Sequence, residues 1–120
     1  MGTFFHPITL IGPSGERETL DALVDTGSTF TSIPRDVLAK LGVEPRREVR
    51  LRLADGRSHL RQLGRVLVQL DGVEELTFVI FGEPDSPPAI GAVTLEVSQL
   101  GVDPSAKRLV PVEGWQAGHA

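Results

Sequence analysis

The chain has 120 residues, a length that predicts one domain with one hydrophobic core. Its net charge of -4 argues against nucleic acid or an anionic membrane as a partner. The chain has no cysteine, which excludes a disulfide framework, a thiolate nucleophile and a cysteine-based metal site. Because no apolar run approaches the roughly 18 residues of a membrane span and the N-terminus lacks the features of a signal peptide, we expect a cytoplasmic protein.

The first part of the chain is predicted to form a β-hairpin, with strands over residues 3–11 and 17–24 around a Gly- and Pro-containing turn. The second strand ends in the apolar run 22–24 and leads directly into Asp25. A carboxylate rarely lies in the interior without partners. The residues that follow offer hydroxyl and N–H groups to it: Thr26, Gly27 and Ser28. Asp25 is therefore either a buried turn cap or a catalytic acid.

A short helix is predicted next, because Ser32 and Pro34 have the character of a helix start and Gly42 that of a helix stop. Residues 49–53 alternate apolar with charged side chains, which is typical of a half-buried strand. Asp55-Gly56 then predicts a tight hairpin turn. We expect this arginine-rich hairpin to project over the surface.

The rest of the chain is predicted to contain strands over residues 64–70, 76–81 and 108–112 and a second short helix over 94–100. The sequence thus predicts a mostly β domain over residues 1–113, followed by a C-terminal tail over 114–120.

Two similar segments follow the two predicted helices. Leu41-Gly42-Val43-Glu44-Pro45 closes the first helix, and Leu100-Gly101-Val102-Asp103-Pro104 closes the second. Each helix lies downstream of an apolar run that ends in a glycine turn, at residues 24–27 and 89–91. The pattern indicates two related halves, although Leu-Gly is by itself a common helix stop.

These features together resemble the retropepsin-like aspartic proteases. The resemblance rests on Val24-Asp25-Thr26-Gly27-Ser28, on the Asp-Gly hairpin some thirty residues later, and on the turn Ala89-Ile90-Gly91 before a final helix. It covers nearly the whole chain in the right order. One departure is the tip of the hairpin, where Asp55 and Arg57 replace the Gly-rich apolar tip of viral enzymes.

The resemblance implies a closed acid-protease-like β barrel with two short helices and halves related by a pseudo-two-fold axis. Asp25 would be the catalytic carboxylate, Thr26 would bond to its counterpart across a dimer axis, and Gly27 and Ser28 would orient the carboxylate. The second glycine turn, Ala89-Ile90-Gly91, would pack beneath the active loop. The hairpin at Ala54, Asp55 and Gly56 would be a flap over bound peptide.

Hydrolysis of a peptide by this chemistry requires two carboxyl groups that share one proton around a water molecule. The chain has a single Asp-Thr-Gly, so the second carboxyl must come from another copy in a two-fold homodimer. The sequence therefore predicts a homodimeric aspartic endopeptidase that acts on peptide or protein substrates and needs no cofactor or metal. The alternative is a dimeric peptide-binding or scaffolding domain of the same fold, in which Asp25 is only a turn cap.

Other candidate sites have weaker support in the sequence. The three histidines, His6, His59 and His119, do not have the spacing of zinc ligands. Ser28 has no histidine close in sequence to act as its base. The arginines at positions 46, 47, 50, 52 and 57 are interpreted as a solvated strand face in preference to a nucleic-acid patch. Trp115 is interpreted as a residue at a dimer edge or as a surface anchor.

Overall fold

Nine β-strands and two short helices form the part of the chain that the computed structural model describes, residues 3–114 and 116–118. Trp115 and His119 lie outside the described residues. In chain order the elements are β1 (Phe5–Ile11), β2 (Arg17–Val24), β3 (Thr31–Pro34), α1 (Arg35–Lys40), β4 (Arg47–Arg52), β5 (Ser58–Leu70), β6 (Val73–Gly82), β7 (Ala89–Ile90), α2 (Ala92–Val97), β8 (Leu100–Asp103) and β9 (Arg108–Pro111).

The strands form a ring. Pairing runs in the order β1-β2-β7-β3-β6-β5, and an additional β1–β5 pairing joins the last strand to the first. Strand β4 pairs with β5 outside this ring and is the edge of the sheet. Strands β8 and β9 form a separate two-stranded sheet. The prediction of a mostly β fold with two short helices is confirmed.

The core lies inside the ring because alternate residues of each strand point inward. On β1 the fully buried side chains are Ile8 and Leu10, and on β5 they are Val68 and Leu70. Leu38 of α1 joins the same apolar cluster. The helices therefore pack against the ring and do not form a core of their own.

The predicted surface hairpin corresponds to β4 and the first half of β5, and we call it the β4–β5 hairpin. Strand β5 is one strand of 13 residues, where the sequence suggested a return limb and a separate strand. Its first half pairs with β4 and its second half with β6. The strand continues without a turn at the point where its partner changes, so the sequence contains no turn signal for this change.

Both predicted helices begin elsewhere than expected. Ser32 and Pro34 belong to β3, which pairs in parallel with β6, and α1 starts only at Arg35 without a side-chain cap. The second helix is Ala92–Val97, and Leu100–Asp103 is strand β8. The predicted closure of this helix by Leu100-Gly101 is wrong.

The two helices end in similar backbone conformations: α1 ends at Leu41-Gly42, as the sequence predicts, whereas α2 ends at Ser98-Gln99, before its Leu-Gly pair. After α1 the left-handed residue is Gly42, with φ 80°, and after α2 it is Gln99, with φ 53°. Gln99 is therefore the structural counterpart of Gly42. Each half runs from a strand through a glycine turn to a helix, and the first half has the additional strand β3 before its helix.

In the described part of the chain, no helix has both the length and the apolar character required to cross a membrane.

Candidate active site

Strand β2 delivers Asp25 to the end of the ring. Val24 is buried, and Leu23 pairs in parallel with Ala89 of β7. The Asp25 backbone N–H donates to the carbonyl of Ile90 at 2.9 Å. This bond joins the Asp25 loop, which we define as residues 25–30, to the second glycine turn, residues 89–91.

The Asp25 carboxylate is held by two donors of its own loop. The backbone N–H of Gly27 donates to Oδ1 at 3.1 Å, and the Ser28 hydroxyl donates to Oδ2 at 3.0 Å. The Ser28 N–H also donates to the Asp25 carbonyl at 3.1 Å, which closes the turn. Asp25 is half-buried, and Thr26 and Gly27 are exposed. The carboxylate is therefore oriented by its partners but still accessible.

The second glycine turn supports the Asp25 loop from below. The carbonyl of Ser28 accepts from Ala92 N–H at 2.8 Å. A Cβ atom on Gly91 would lie 2.5 Å from the carbonyl oxygen of Phe30 and 2.9 Å from that of Ser28. Since the φ of Gly91 is an ordinary -98°, glycine is required here for close approach of two backbones and not for an unusual conformation.

A buried chain of three threonine hydroxyls extends this support. The Gly91 N–H donates to Thr31 Oγ1 at 3.1 Å. Thr31 Oγ1 lies 2.6 Å from Thr94 Oγ1, which lies 2.8 Å from Thr77 Oγ1. All three threonines are 3% exposed or less. Sequence reasoning missed them, because threonine in a strand pattern is ordinary and only the fold brings β3, β6 and α2 together.

Two cavities flank the Asp25 loop. The first, of about 460 Å³, is lined by Thr3, Val24, Asp25, Thr26, Gly27, Val102 and Pro104. Asp25 is the only titratable side chain in that lining, as far as the described residues go. The second, of about 560 Å³, lies between residues 27–30 and residues 50–53 of the β4–β5 hairpin. The hairpin therefore forms one wall of a cleft beside the Asp25 loop, and Gly27 lines both cavities.

A larger groove of about 980 Å³ lies between α1 and the base of the β4–β5 hairpin, and no residue of the Asp25 loop lines it. Its rim includes Glu83, which bonds Arg35 at 2.8 Å. This contact, above all, lowers the pKa of Glu83. Volume alone does not define an active site, and the convergent polar groups are at Asp25.

The tip of the β4–β5 hairpin is a closed polar turn. Ala54, Asp55 and Gly56 are exposed, and Gly56 adopts φ 89°. The Asp55 carboxylate accepts from the Arg57 backbone N–H at 3.0 Å and from its guanidinium at 2.7 Å. These two bonds lower the pKa of Asp55, the backbone bond most. The structure thus places the predicted tip residues at a hairpin tip, held by local charge pairing.

The other candidates have different surroundings. His6 lies 2.9 Å from Asp71, and His59 lies on the β4–β5 hairpin opposite Leu51. Within residues 3–114 and 116–118, no three His, Asp or Glu side chains are close enough together to hold a metal ion. The Ser28 hydroxyl is a donor to Asp25, a role that orients a carboxylate.

A ring of strands that brings an Asp-Thr-Gly-Ser loop onto an Ile-Gly turn defines the retropepsin-like class of aspartic proteases. The family model for aspartyl proteases matches residues 10–103 of the chain. This range contains the Asp25 loop, the β4–β5 hairpin and the second glycine turn. The chain therefore belongs to the aspartyl protease family. A comparison with the sequences of curated proteins finds no match.

Solved structures agree with this assignment. The chain is similar to the retroviral protease-like domain of Ddi1 from Leishmania major, with a TM-score of 0.60 and 20% identity over 92% of this chain and 89% of that one. It is similar to the Simian Foamy Virus (mac) protease, with a TM-score of 0.55 and 14% identity over 77% of this chain and 91% of that one. The foamy viral protease-reverse transcriptase, solved with an RNA/DNA hybrid, gives a TM-score of 0.56 and 16% identity over 91% of this chain and 13% of that one. At these identities the similarity establishes the fold.

Proposed function

We propose that the protein is an aspartic endopeptidase whose active site forms between two copies of Asp25 in a homodimer. The observation that supports this most directly is the environment of the Asp25 carboxylate. It is oriented by Gly27 and Ser28, remains partly exposed, and borders a cavity with no second titratable side chain among the described residues. One chain thus contributes half of a carboxyl pair.

In the proposed mechanism the two Asp25 carboxyl groups share one proton, because two carboxylates so close together cannot both ionise. The ionised group takes a proton from a water molecule as that water attacks the scissile carbonyl carbon. The protonated group donates to the carbonyl oxygen. As the tetrahedral intermediate collapses, the carboxyl group that took the water proton gives it to the leaving amine. One hydroxyl of the intermediate returns its proton to the other, now ionised, carboxylate as the C=O bond re-forms, which restores the single shared proton.

The surface beside Asp25 is consistent with a second copy. Phe5 pairs with Leu23, and in the alternation of a strand Leu23 and Asp25 point to the same side. Phe5 is 62% exposed, the largest exposed fraction among the large apolar side chains of the described residues. In the proposed dimer the exposed Thr26 bonds to its counterpart, and the second copy covers this face.

A non-catalytic peptide-binding domain of the same fold is the second candidate. The observation that favours it is the hairpin tip, where the Asp55–Arg57 ion pair stands in place of an apolar surface that could close over a peptide. Asp25 would then serve only to cap its turn.

The decisive variant is Asp25→Asn, because an amide keeps the size of the carboxyl group but cannot exchange a proton with water. We expect it to fold, to dimerise and to cleave no peptide of a mixed library between mildly acidic and neutral pH. Asp21→Asn is the matched control, since Asp21 is exposed on β2, the strand that leads into Asp25. Peptide turnover by purified Asp25→Asn protein would refute the mechanism.

A mixing experiment tests the shared site. Co-refolding equal amounts of wild-type and Asp25→Asn chains should leave about one quarter of the wild-type activity, because only dimers with two aspartates work. An enzyme that works as a monomer would keep about one half of the activity of the same total amount of wild-type chain, because half of the chains are wild type. The non-catalytic domain predicts binding of library peptides without cleavage by either protein.

A further inference from the structure

The arginine-rich strand β4 borders the cleft beside the Asp25 loop. Residues 50–53 form one wall of the 560 Å³ cavity, and residues 27–30 of the Asp25 loop form another. The sequence alone suggested that these arginines are a solvated strand face. Their place at the mouth of the cleft gives them a second interpretation.

Strand β4 is an edge strand. It pairs with β5, and its other side has no strand partner within the described residues. An edge strand presents backbone N–H and C=O groups that can pair with an extended peptide, which then adds to the sheet as another strand. The free edge of β4 and the adjoining cleft are therefore suited to an extended chain.

Alternation along β4 sorts its side chains into two sets. Val49 and Leu51 are half-buried, whereas Arg50 and Arg52 are exposed. A strand added beside β4 would follow the same alternation, with directly opposite side chains on the same face. Alternate peptide side chains would then lie beside the two arginines, and those between them beside the apolar residues.

The two arginines are available for such contacts. Seven ion pairs within 4.0 Å join described residues, and none of them includes Arg50 or Arg52. Arg52 donates one hydrogen bond to the carbonyl of Gly56 at 3.0 Å, which fixes its position and keeps its charge. Glu48 precedes them on the same exposed face, so the positive charge on this face of β4 is limited to two positions. Arg61 and Glu83 also line the cavity, but they lie 3.7 Å apart and offset each other's charge. This region contrasts with the net charge of -4.

We propose that the cleft selects extended peptides with acidic side chains at two alternate positions, beside Arg50 and Arg52, and apolar side chains between them. The inference rests on the proposed function and names the substrate class of the same site. A pair of opposite charges directly across two strands increases the binding constant by a factor of about 1.4 to 5. Two such pairs make an acidic peptide bind about 2- to 25-fold tighter than its amide analogue.

The experiment uses the Asp25→Asn protein, which is expected to hold peptides without cleaving them. Two fluorescent peptide pools share randomised apolar residues at alternate positions and have either Glu or Gln at the positions between. Fluorescence anisotropy should show tighter binding of the Glu pool, with the difference decreasing as salt rises. Adding Arg50→Gln and Arg52→Gln should bring the two pools to equal affinity.

Charge reversal and a surface control make the test specific. Adding Arg50→Glu and Arg52→Glu should turn the preference toward a third pool with Lys at those positions. Adding Arg65→Gln, an exposed arginine on β5 outside the cleft lining, should leave the Glu preference intact. Urea unfolding of each variant checks that the substitutions leave the fold unchanged.

The outcomes separate this inference from the proposed function. If peptides bind but the Glu and Gln pools are equal, or the preference survives loss of both arginines, the inference is wrong and the protease proposal stands. If the wild type cleaves no peptide and the Asp25→Asn protein binds no pool, both are wrong. A Glu preference that Arg65→Gln removes equally well would indicate general electrostatic attraction and would also overturn the inference.

Discussion

The buried threonine chain beneath the Asp25 loop leads to a quantitative prediction. Thr94→Val keeps the shape of the side chain but removes the hydroxyl that contacts both Thr31 and Thr77. Each of those buried hydroxyls then loses one partner, at a cost of roughly 1–3 kcal/mol for each group left unsatisfied. Thr31 keeps its bond from Gly91, and the new methyl group returns about 0.8 kcal/mol. Because only Thr77 is left unsatisfied, we expect the free energy of unfolding to fall by about 1 kcal/mol.

The assay is urea unfolding at one fixed protomer concentration, because the stability of the proposed dimer would depend on concentration. A double-mutant cycle with Thr77→Val isolates the hydroxyl contact. When both partners are apolar, neither is left unsatisfied. The free energy of unfolding of the double variant should therefore be higher, by about 1 kcal/mol or more, than the sum of the two single effects predicts.

The chain offers a matched control for this cycle. Thr9 and Thr19 form the same hydroxyl pair at 2.8 Å, but at the surface, where water replaces a lost partner. The Thr9→Val and Thr19→Val cycle should show a coupling energy of only a few tenths of a kcal/mol. If the coupling between Thr94 and Thr77 is no larger than that of the surface pair, the argument from burial is wrong.

Two more predictions concern the second glycine turn and the groove beside α1. Gly91→Ala should lower the free energy of unfolding by about 3 kcal/mol, since its methyl group would overlap the backbone carbonyl of Phe30. Gly114→Ala is the control, because its methyl group would meet only a flexible side chain, and it should change the free energy of unfolding little. Equal urea midpoints for the two variants would contradict this prediction. Arg35→Gln should raise the pKa of Glu83 toward its ordinary 4.5 in an NMR titration. Because the native pKa of Glu83 is lowered, the Arg35 contact stabilises the fold above pH 4.5, and this stabilisation is lost as pH falls through the native pKa. An unchanged titration of Glu83 in the variant would show that Arg35 is not the cause of the lowered pKa.

Much of the fold could be predicted because its signals are local. The alternation of residues 49–53 and the glycine of the turn at Asp55-Gly56 predict the β4–β5 hairpin from about a dozen neighbouring residues. The apolar run into Asp25 likewise predicts the end of β2. In each case the physical cause, side-chain period or backbone freedom, acts between near neighbours.

The errors occurred where distant partners decide. Ser32 and Pro34 have the character of a helix start, yet pairing with β6 makes them part of β3, because tertiary hydrogen bonds outweigh local propensity. Leu100 similarly belongs to β8 through its pairing with Pro111. Strand β7 has only two residues and forms because β2 and β3 are beside it, which no local pattern can express.

The sequence by itself determined that Asp25 ends a strand and has Gly27 and Ser28 as donors, since these partners are two and three residues away. Only the tertiary structure decided what lies beneath that loop. Gly91 must be a glycine because the Phe30 backbone approaches it, and Thr31 and Thr94 meet although 63 residues separate them. Local chemistry orients the carboxylate, and long-range packing holds the loop on which it lies.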